Sequence, residues 1–576
     1  MSILLVAFVT GLASAETQHE PHLEVTQVPT QKSFNEKLTE GAQLLKDVPN
    51  VDDTKEFLEK LHSMENEIRK ELILSPERKD ELVLGMKDYV DVREDQAKSL
   101  GETILEVNKH SKVDTALFQG DIILTKQQAA EIIEDIHENH DNRTKRQAFR
   151  GKSYPKYLWN RGVNYAFYNA SINSANAARR VFVKAAALWA WDTCINFGES
   201  YPAADKILVI ESVGCWSHIG RIGGTQALSL GAGCESVGTA AHEIGHALGL
   251  FHTQSRYDRD DFITIDLFNL QVGWDTQFVK QTQETNYNYN ITYDYGSVMH
   301  YGAASVAANG QPCMVPRDIK YTQTLGSPFI SFYEKLMINL HYNCTDICKD
   351  SKTSCYNGGF PHPRQCSRCI CPSGYGGELC DEKPSGCGTI VEATDSYQIL
   401  NDTIGRWNFN PQDDNDEFYK CFYWIQGPPG STIEVVFDNY TENLAYDGCV
   451  FAGVEIKTLA DKRLTGYRFC SSKYSGTTLI STHNIVPIIT WSRVYRANTI
   501  LRYRLSSPGT NTKKSTSKAA EPERRTTLSV IQSSTNPVTH CNDRILCEIL
   551  VNLNMCHRAE LSDELKERVC PGFCRK

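Results

Sequence analysis

The sequence predicts a multidomain chain in which mixed helices and strands precede cysteine-stapled and all-β parts. Three observations predict this. At 576 residues the chain exceeds what one core supports, and about 150 residues per domain gives three or four domains. None of its 20 cysteines precedes Cys194, whereas every later region carries them. The apolar period also changes, from threes and fours in the N-terminal quarter to twos between Leu501 and Leu505. Hydrophobic content of 41% is ordinary for a globular protein. A net charge of -10 with no dominant basic run excludes a nucleic-acid binder.

The elements follow in order. Residues 1–15 are apolar from Ile3 to Val9, resume at Leu12 and end in Ala13-Ser14-Ala15, the pattern of a secretory signal peptide. No later segment sustains the roughly 18 apolar residues of a membrane span. From Glu16 to Arg146 the chain is cysteine-free and charged, and Phe57, Leu58, Leu61, Met64, Ile68 and Leu72 form one apolar helical stripe. Arg143-Thr144-Lys145-Arg146 is a paired-basic cleavage sequence, so residues 16–146 read as a propeptide cut between Arg146 and Gln147 by a furin-like protease. An Ala-rich helix follows at about Ala175 to Asp192, then a strand at Ile207 to Val213.

The segment His242 to His252 reads H-E-I-G-H-A-L-G-L-F-H. Four residues apart on a helix, His242 and His246 leave the same face one turn apart. Gly249 can adopt the left-handed conformation that ends the helix, returning a third imidazole from His252. Three neutral nitrogens suit zinc and leave one position open, and Glu243 is placed to take a proton from a water there. Tyr295 to Tyr301 adds Y-G-S-V-M-H-Y.

These two segments together resemble the metzincins and, within them, the astacin family of secreted zinc endopeptidases. Cys215 to Gly224 (C-W-S-H-I-G-R-I-G-G) and Lys156 to Trp159 (K-Y-L-W) extend the resemblance over residues 147–344. It implies an α+β metzincin catalytic domain, with an N-terminal sheet and helices, an active-site helix and an irregular C-terminal lobe. His242, His246 and His252 would bind one Zn2+, Glu243 would be the general base and Met299 the floor of the Met-turn. Tyr301 would ligate zinc in the free enzyme and swing to the oxyanion. An edge strand at the Ile207 to Val213 position would pair with extended substrate. Phe118-Gln119-Gly120-Asp121 resembles the zymogen element in which Asp121 would ligate zinc in the latent form only. Many astacins carry a glutamate directly after the third histidine, meeting the buried new N-terminus, but this chain has Thr253.

The resemblance also implies the pairs Cys194–Cys344 and Cys215–Cys234, leaving Cys313 as a free buried thiol or an intermolecular link. Six cysteines within residues 345–381 resemble an EGF-like module, implying Cys348–Cys366, Cys355–Cys369 and Cys371–Cys380, although six cysteines by themselves permit fifteen pairings. Residues 387–505 resemble a CUB β-sandwich with Cys387–Cys421 and Cys449–Cys470, and Ala452 stands where calcium-binding relatives have an aspartate. Residues 506–540 read as a flexible linker. Residues 541–576 resemble a small helical ShK-like module with five of the usual six cysteines, so that Cys541 lacks its expected partner. Sequons at Asn169, Asn290, Asn343, Asn401 and Asn439 agree with an oxidising, secretory route.

The resulting expectation is a secreted, latent zinc endopeptidase of extracellular substrates, with collagen and cuticle components as candidates and no nucleic-acid partner. The rival is a secreted matrix or receptor ligand acting through its tail, with an inert peptidase domain. Inert relatives usually lack a ligand or the base, whereas this sequence has all of them.

Overall fold

A computed structural model describes residues 33–97, 103–138, 148–149, 154–168, 176–281, 286–406 and 416–506. The expected signal peptide at 1–15, the Arg143–Arg146 tetrad with Gln147, Asn169, nearly all of the expected linker at 506–540 and the expected module at 541–576 lie outside the described residues.

The described part of the cysteine-free segment is mostly helical. Ser33 and Glu36 form a reciprocal cap for Phe34–Leu44, and the apolar stripe is buried from Phe57 to Leu72. The stripe is continuous but the helix is not. It breaks at Met64 into Val51–Ser63 and Glu65–Leu72. The bend turns the second helix along the neighbouring domain, where Arg69 pairs with the buried carboxylate of Asp275 at 3.0 Å.

That domain is built on a six-stranded sheet in the order Ile122–Ile123, Cys215–His218, Thr225–Leu230, Lys206–Ile210, Val163–Phe167, Phe197–Glu199. All pairs are parallel except Cys215–His218 with Thr225–Leu230. The Ala-rich helix Ala177–Trp191 packs on the helix Val237–Ala247, where small residues allow close approach, and the Trp189 indole donates to Ala241 O at 2.9 Å. One strand expectation needs correction. The strand at Lys206–Ile210 lies inside the sheet, because parallel partners flank it on both sides. The edge is Cys215–His218, and its outer side is paired with Ile122–Ile123 from the N-terminal segment.

Past the disulfide Cys194–Cys344, a two-stranded unit (Phe360–His362 and Gln365–Ile370) is held by Cys348–Cys366, Cys355–Cys369 and Cys371–Cys380. So small a segment buries little, and the cross-links replace a core. Its Arg364 guanidinium donates to the carbonyls of Ala190, Thr193 and Ile195, anchoring it to the preceding domain.

The C-terminal region is β-rich, with a five-stranded and a four-stranded sheet cross-linked by Cys387–Cys421 and Cys449–Cys470. In the strand Ala497–Leu505, Leu501 and Tyr503 are buried while Arg502 and Arg504 face outward, and Leu505 is only half-buried at the strand end. This region docks on the domain of the six-stranded sheet through polar contacts. Asp447 accepts from Ala304 N at 2.8 Å, Arg468 donates to Ser327 Oγ at 2.7 Å, and Tyr467 donates to Asp318 at 2.7 Å.

Among the described residues, no helix is long and apolar enough to cross a membrane. Cys313 is fully buried with no disulfide partner among the described residues, and burial pushes its thiol up to about 12. Asn290, Asn343, Asn401 and Asn439 are all exposed.

Candidate active site

The helix Val237–Ala247 starts at Ser236, whose hydroxyl accepts from Thr239 N at 3.0 Å. It ends because Gly249 takes φ +104, which an L side chain rarely adopts, and the chain then returns to His252. The result is three imidazoles around one point. Their Nδ1 atoms are committed: His242 Nδ1 lies 2.7 Å from Val298 O, His246 Nδ1 2.7 Å from Leu250 O, and His252 Nδ1 2.8 Å from Gln119 Oε1. Oxygens of these kinds only accept, so each Nδ1 carries the proton and each Nε2 turns a lone pair inward.

Into that point comes Asp121. Its Oδ2 lies 3.2 Å from His242 Nε2 and 3.2 Å from His252 Nε2, and its Oδ1 lies 3.4 Å from His246 Nε2. The four donor atoms lie within 4.8 Å of one another, and all four residues are buried. Burial opposes ionisation of Asp121, and its carboxyl falls well below the usual carboxylate range only where positive charge sits among the imidazoles. Burial keeps His246 low and brings His252 to about 3, so these rings are neutral.

A sealed carboxylate among inward-facing lone pairs is a poor arrangement for protein alone. Two such nitrogens, His242 Nε2 and His252 Nε2, stand only 3.2 Å apart, and His246 Nε2 and Asp121 Oδ1 have no hydrogen-bond partner. A divalent cation resolves both problems, and three nitrogens with one carboxylate suit zinc. Glu243 is beside them, fully buried, with neither oxygen hydrogen-bonded. Burial, then the Asp121 charge, drive its carboxyl well above the usual range.

The floor and the wall come from Ser297 to Tyr301. Met299 is fully buried under the helix, and a Cβ on Gly245 would stand 2.6 Å from its Sδ, so the helix tolerates only glycine there without shifting. Tyr301 Oη lies 2.8 Å from Asp121 Oδ2 and 2.6 Å from Gln119 O, and its one proton is shared between these acceptors. Burial and then Asp121 raise this phenol well above its ordinary value. The Asp121 hairpin is itself constrained: a Cβ on Gly120, at φ +93, would meet Leu105 Cδ2 at 2.3 Å.

Sequence reasoning overlooked three groups. Gln119 orients His252 and sits in the same tetrapeptide as Asp121. Gly245 makes room for Met299. Glu334 accepts from Val298 N, Met299 N and Ser297 Oγ, fixing the turn beneath the histidines. The S-x-x-E spacing of Ser331 and Glu334 was the available signal, since this pair caps the helix Phe332–His341. Thr253 takes part in the same network, with its Oγ1 2.7 Å from Ser297 Oγ.

A cleft of about 250 Å3 opens beside His242 and Tyr301. Ser327 and Pro328 line it, Ile104 covers it from the N-terminal segment, and the C-terminal β-region contributes Phe418 and Arg493.

Three histidines one turn and one bend apart, with a buried glutamate between the first two, define a zinc-dependent metalloendopeptidase. Residues 151–343 match the peptidase family described as Astacin. The zinc metalloproteinase nas-31 of Caenorhabditis elegans is 45% identical over 72% of this chain and 67% of its own length. The zinc metalloproteinase nas-32 of the same organism is 36% identical over 70% of this chain and 60% of its own length. Among solved structures, high choriolytic enzyme 1, a hatching enzyme zinc-protease from Oryzias latipes, is 29% identical. It covers 35% of this chain and 99% of its own, with a TM-score of 0.30. The chain belongs to the astacin family.

Proposed function

We infer that this astacin is secreted as a latent precursor and cleaves extracellular proteins after its propeptide is removed. The carrying observation is Asp121, whose carboxylate reaches all three imidazoles at 3.2 to 3.4 Å from a segment joined to the rest by a paired-basic sequence. His242, His246 and His252 would hold zinc, with Asp121 as a further ligand before activation. When bound, zinc supplies a Lewis acid that polarises a carbonyl and acidifies water.

The chain's own residues do the rest. Glu243 takes a proton from the attacking water and later delivers it to the leaving amine. Met299 and Glu334 keep the histidines and the turn in register. Tyr301, once freed from Asp121, turns its hydroxyl to the tetrahedral oxyanion, where a donor acts mainly in the transition state.

Cleavage between Arg146 and Gln147 by a furin-like protease would allow residues 16–146 to leave after removal of a signal peptide at 1–15. The three-disulfide unit at 345–381 reads as EGF-like and the two-sheet region at 387–505 as CUB-like. A linker at 506–540 and a ShK-like module at 541–576 complete the proposed domain organisation. Seven disulfides among the described residues and exposed sequons at Asn290, Asn343, Asn401 and Asn439 support an extracellular, glycosylated protein. Extracellular matrix proteins such as collagen or cuticle components are the proposed substrates, consistent with a role in moulting. The test is peptide hydrolysis by the precursor before and after paired-basic cleavage, each with and without a chelator. An uncleaved precursor as active as the cleaved form would overturn the latency reading.

A further inference from the structure

The N-terminal segment is bound by the C-terminal β-region as well as by the peptidase domain. Asp95 is almost fully buried, and both its oxygens face the β-region: Asn443 N donates to Oδ1 and Ser471 Oγ donates to Oδ2. On either side the backbones pair as parallel strands do. Ala445 N donates to Asp95 O at 3.0 Å, Ala97 N donates to Ala445 O at 3.0 Å, and Gln96 bridges Ala445. Ala97 packs with Phe451 and Val494, and Val90 and Val92 lean on the apolar core of the β-region. Glu94 adds an exposed pair with Lys473 at 2.9 Å.

These contacts divide by what they recognise. The two backbone bonds take any extended peptide, the pocket at Phe451 takes a small side chain, and the Asn443 and Ser471 donors select a carboxylate. The exposed Lys473 pair adds little. The groove belongs to a fixed surface, since the same region is tied to the peptidase domain through Asp447 and Arg468. It also lies a short way from the cleft along the chain. Leu105, eight residues after Ala97, lines the cleft beside His242, and eight residues span at most about 28 Å.

We propose that the groove formed by Asn443 to Tyr446 and Ser471 is an exosite for an extended acidic segment of a substrate protein, with an aspartate at its centre and a small residue two positions on. The propeptide is its cis occupant, and removal of residues 16–146 opens it. The inference therefore rests on the activation reading given above.

The test uses the full chain activated by paired-basic cleavage, with mass spectrometry verifying an N-terminus at Gln147 and loss of the propeptide. The probe is a labelled nonapeptide copying Tyr89 to Ala97, followed by fluorescence anisotropy. It should bind, and the same peptide with Asp95→Ala should bind about tenfold more weakly, as loss of one charged hydrogen-bonded group implies. Ser471→Ala in the enzyme should weaken the parent peptide similarly. Appending the nonapeptide to a fluorogenic substrate through a Gly/Ser linker should lower KM about tenfold at constant kcat, and Asp95→Ala in the tag should abolish the gain. Absence of binding, equal binding of the two peptides, or an unchanged KM overturns the exosite. A chain that is not cut at Arg146, or that is fully active uncut, instead overturns the activation reading.

Discussion

On the proposed activation reading, Asp121→Ala in a chain that also carries Arg146→Ala isolates the Asp121 plug from the rest of residues 16–146. Asp121 contributes an ionised, fully buried carboxylate facing three imidazoles at 3.2 to 3.4 Å and a phenol at 2.8 Å. Removing one partner of a buried, hydrogen-bonded charged set typically forfeits about 3 to 4 kcal/mol. Other anchors survive, including Asn108 Nδ2 donating to Cys215 O at 2.7 Å and the Ile122–Ile123 strand pairing. The propeptide therefore stays seated more weakly instead of dissociating. At about 1.4 kcal/mol per decade, the population of open cleft should rise by on the order of 10² to 10³. Hydrolysis of a short fluorogenic peptide by the uncleaved double variant, compared with Arg146→Ala alone, measures this ratio directly. Addition of a chelator should return the double variant to background. Equal latency of the two precursors would refute the plug argument, whatever the mature enzyme does.

Glu243→Ala in the activated enzyme should retain one zinc per chain by atomic absorption and lose about 10² to 10⁴ in kcat, because the proton carrier is absent while the ligands remain. Tyr301→Phe should lower kcat by about 10² to 10³ with KM little changed, as expected of a donor that acts on the oxyanion. A matching rise in KM would point to ground-state binding. Gly245→Ala forces a Cβ to within 2.6 Å of Met299 Sδ and should destabilise the peptidase domain by about 1 to 3 kcal/mol, read as a Tm lower by several degrees. Shortening the floor residue by Met299→Ala in the same background should recover part of that loss.

The three histidines and Glu243 were legible because helical periodicity converts a spacing of four into a shared face, and Gly249 announces where the helix must stop. Their supports were not legible. Glu334 lies 82 residues beyond His252 in the sequence, and nothing short of the fold brings its carboxylate under the amides of Val298 and Met299. The strand error has a similar origin. The resemblance implied an edge at the Ile207 to Val213 position, but Lys206–Ile210 has parallel partners on both sides, and edge status is a property of neighbours. The helical stripe from Phe57 to Leu72 is one apolar face in sequence and structure alike, yet the backbone breaks at Met64, which apolar periodicity does not register.

By itself the sequence determined the chemistry: which atoms can meet one cation, which carboxyl can carry a proton, and where cross-links replace a core. Those follow from residue type and short-range geometry, which a covalent chain fixes locally. The tertiary structure alone decided which carboxylate fixes the turn beneath the histidines, which strand forms the edge, and that a groove on the C-terminal β-region holds Asp95. Each of these joins segments tens to hundreds of residues apart, and only packing of the folded chain selects among the partners the sequence offers.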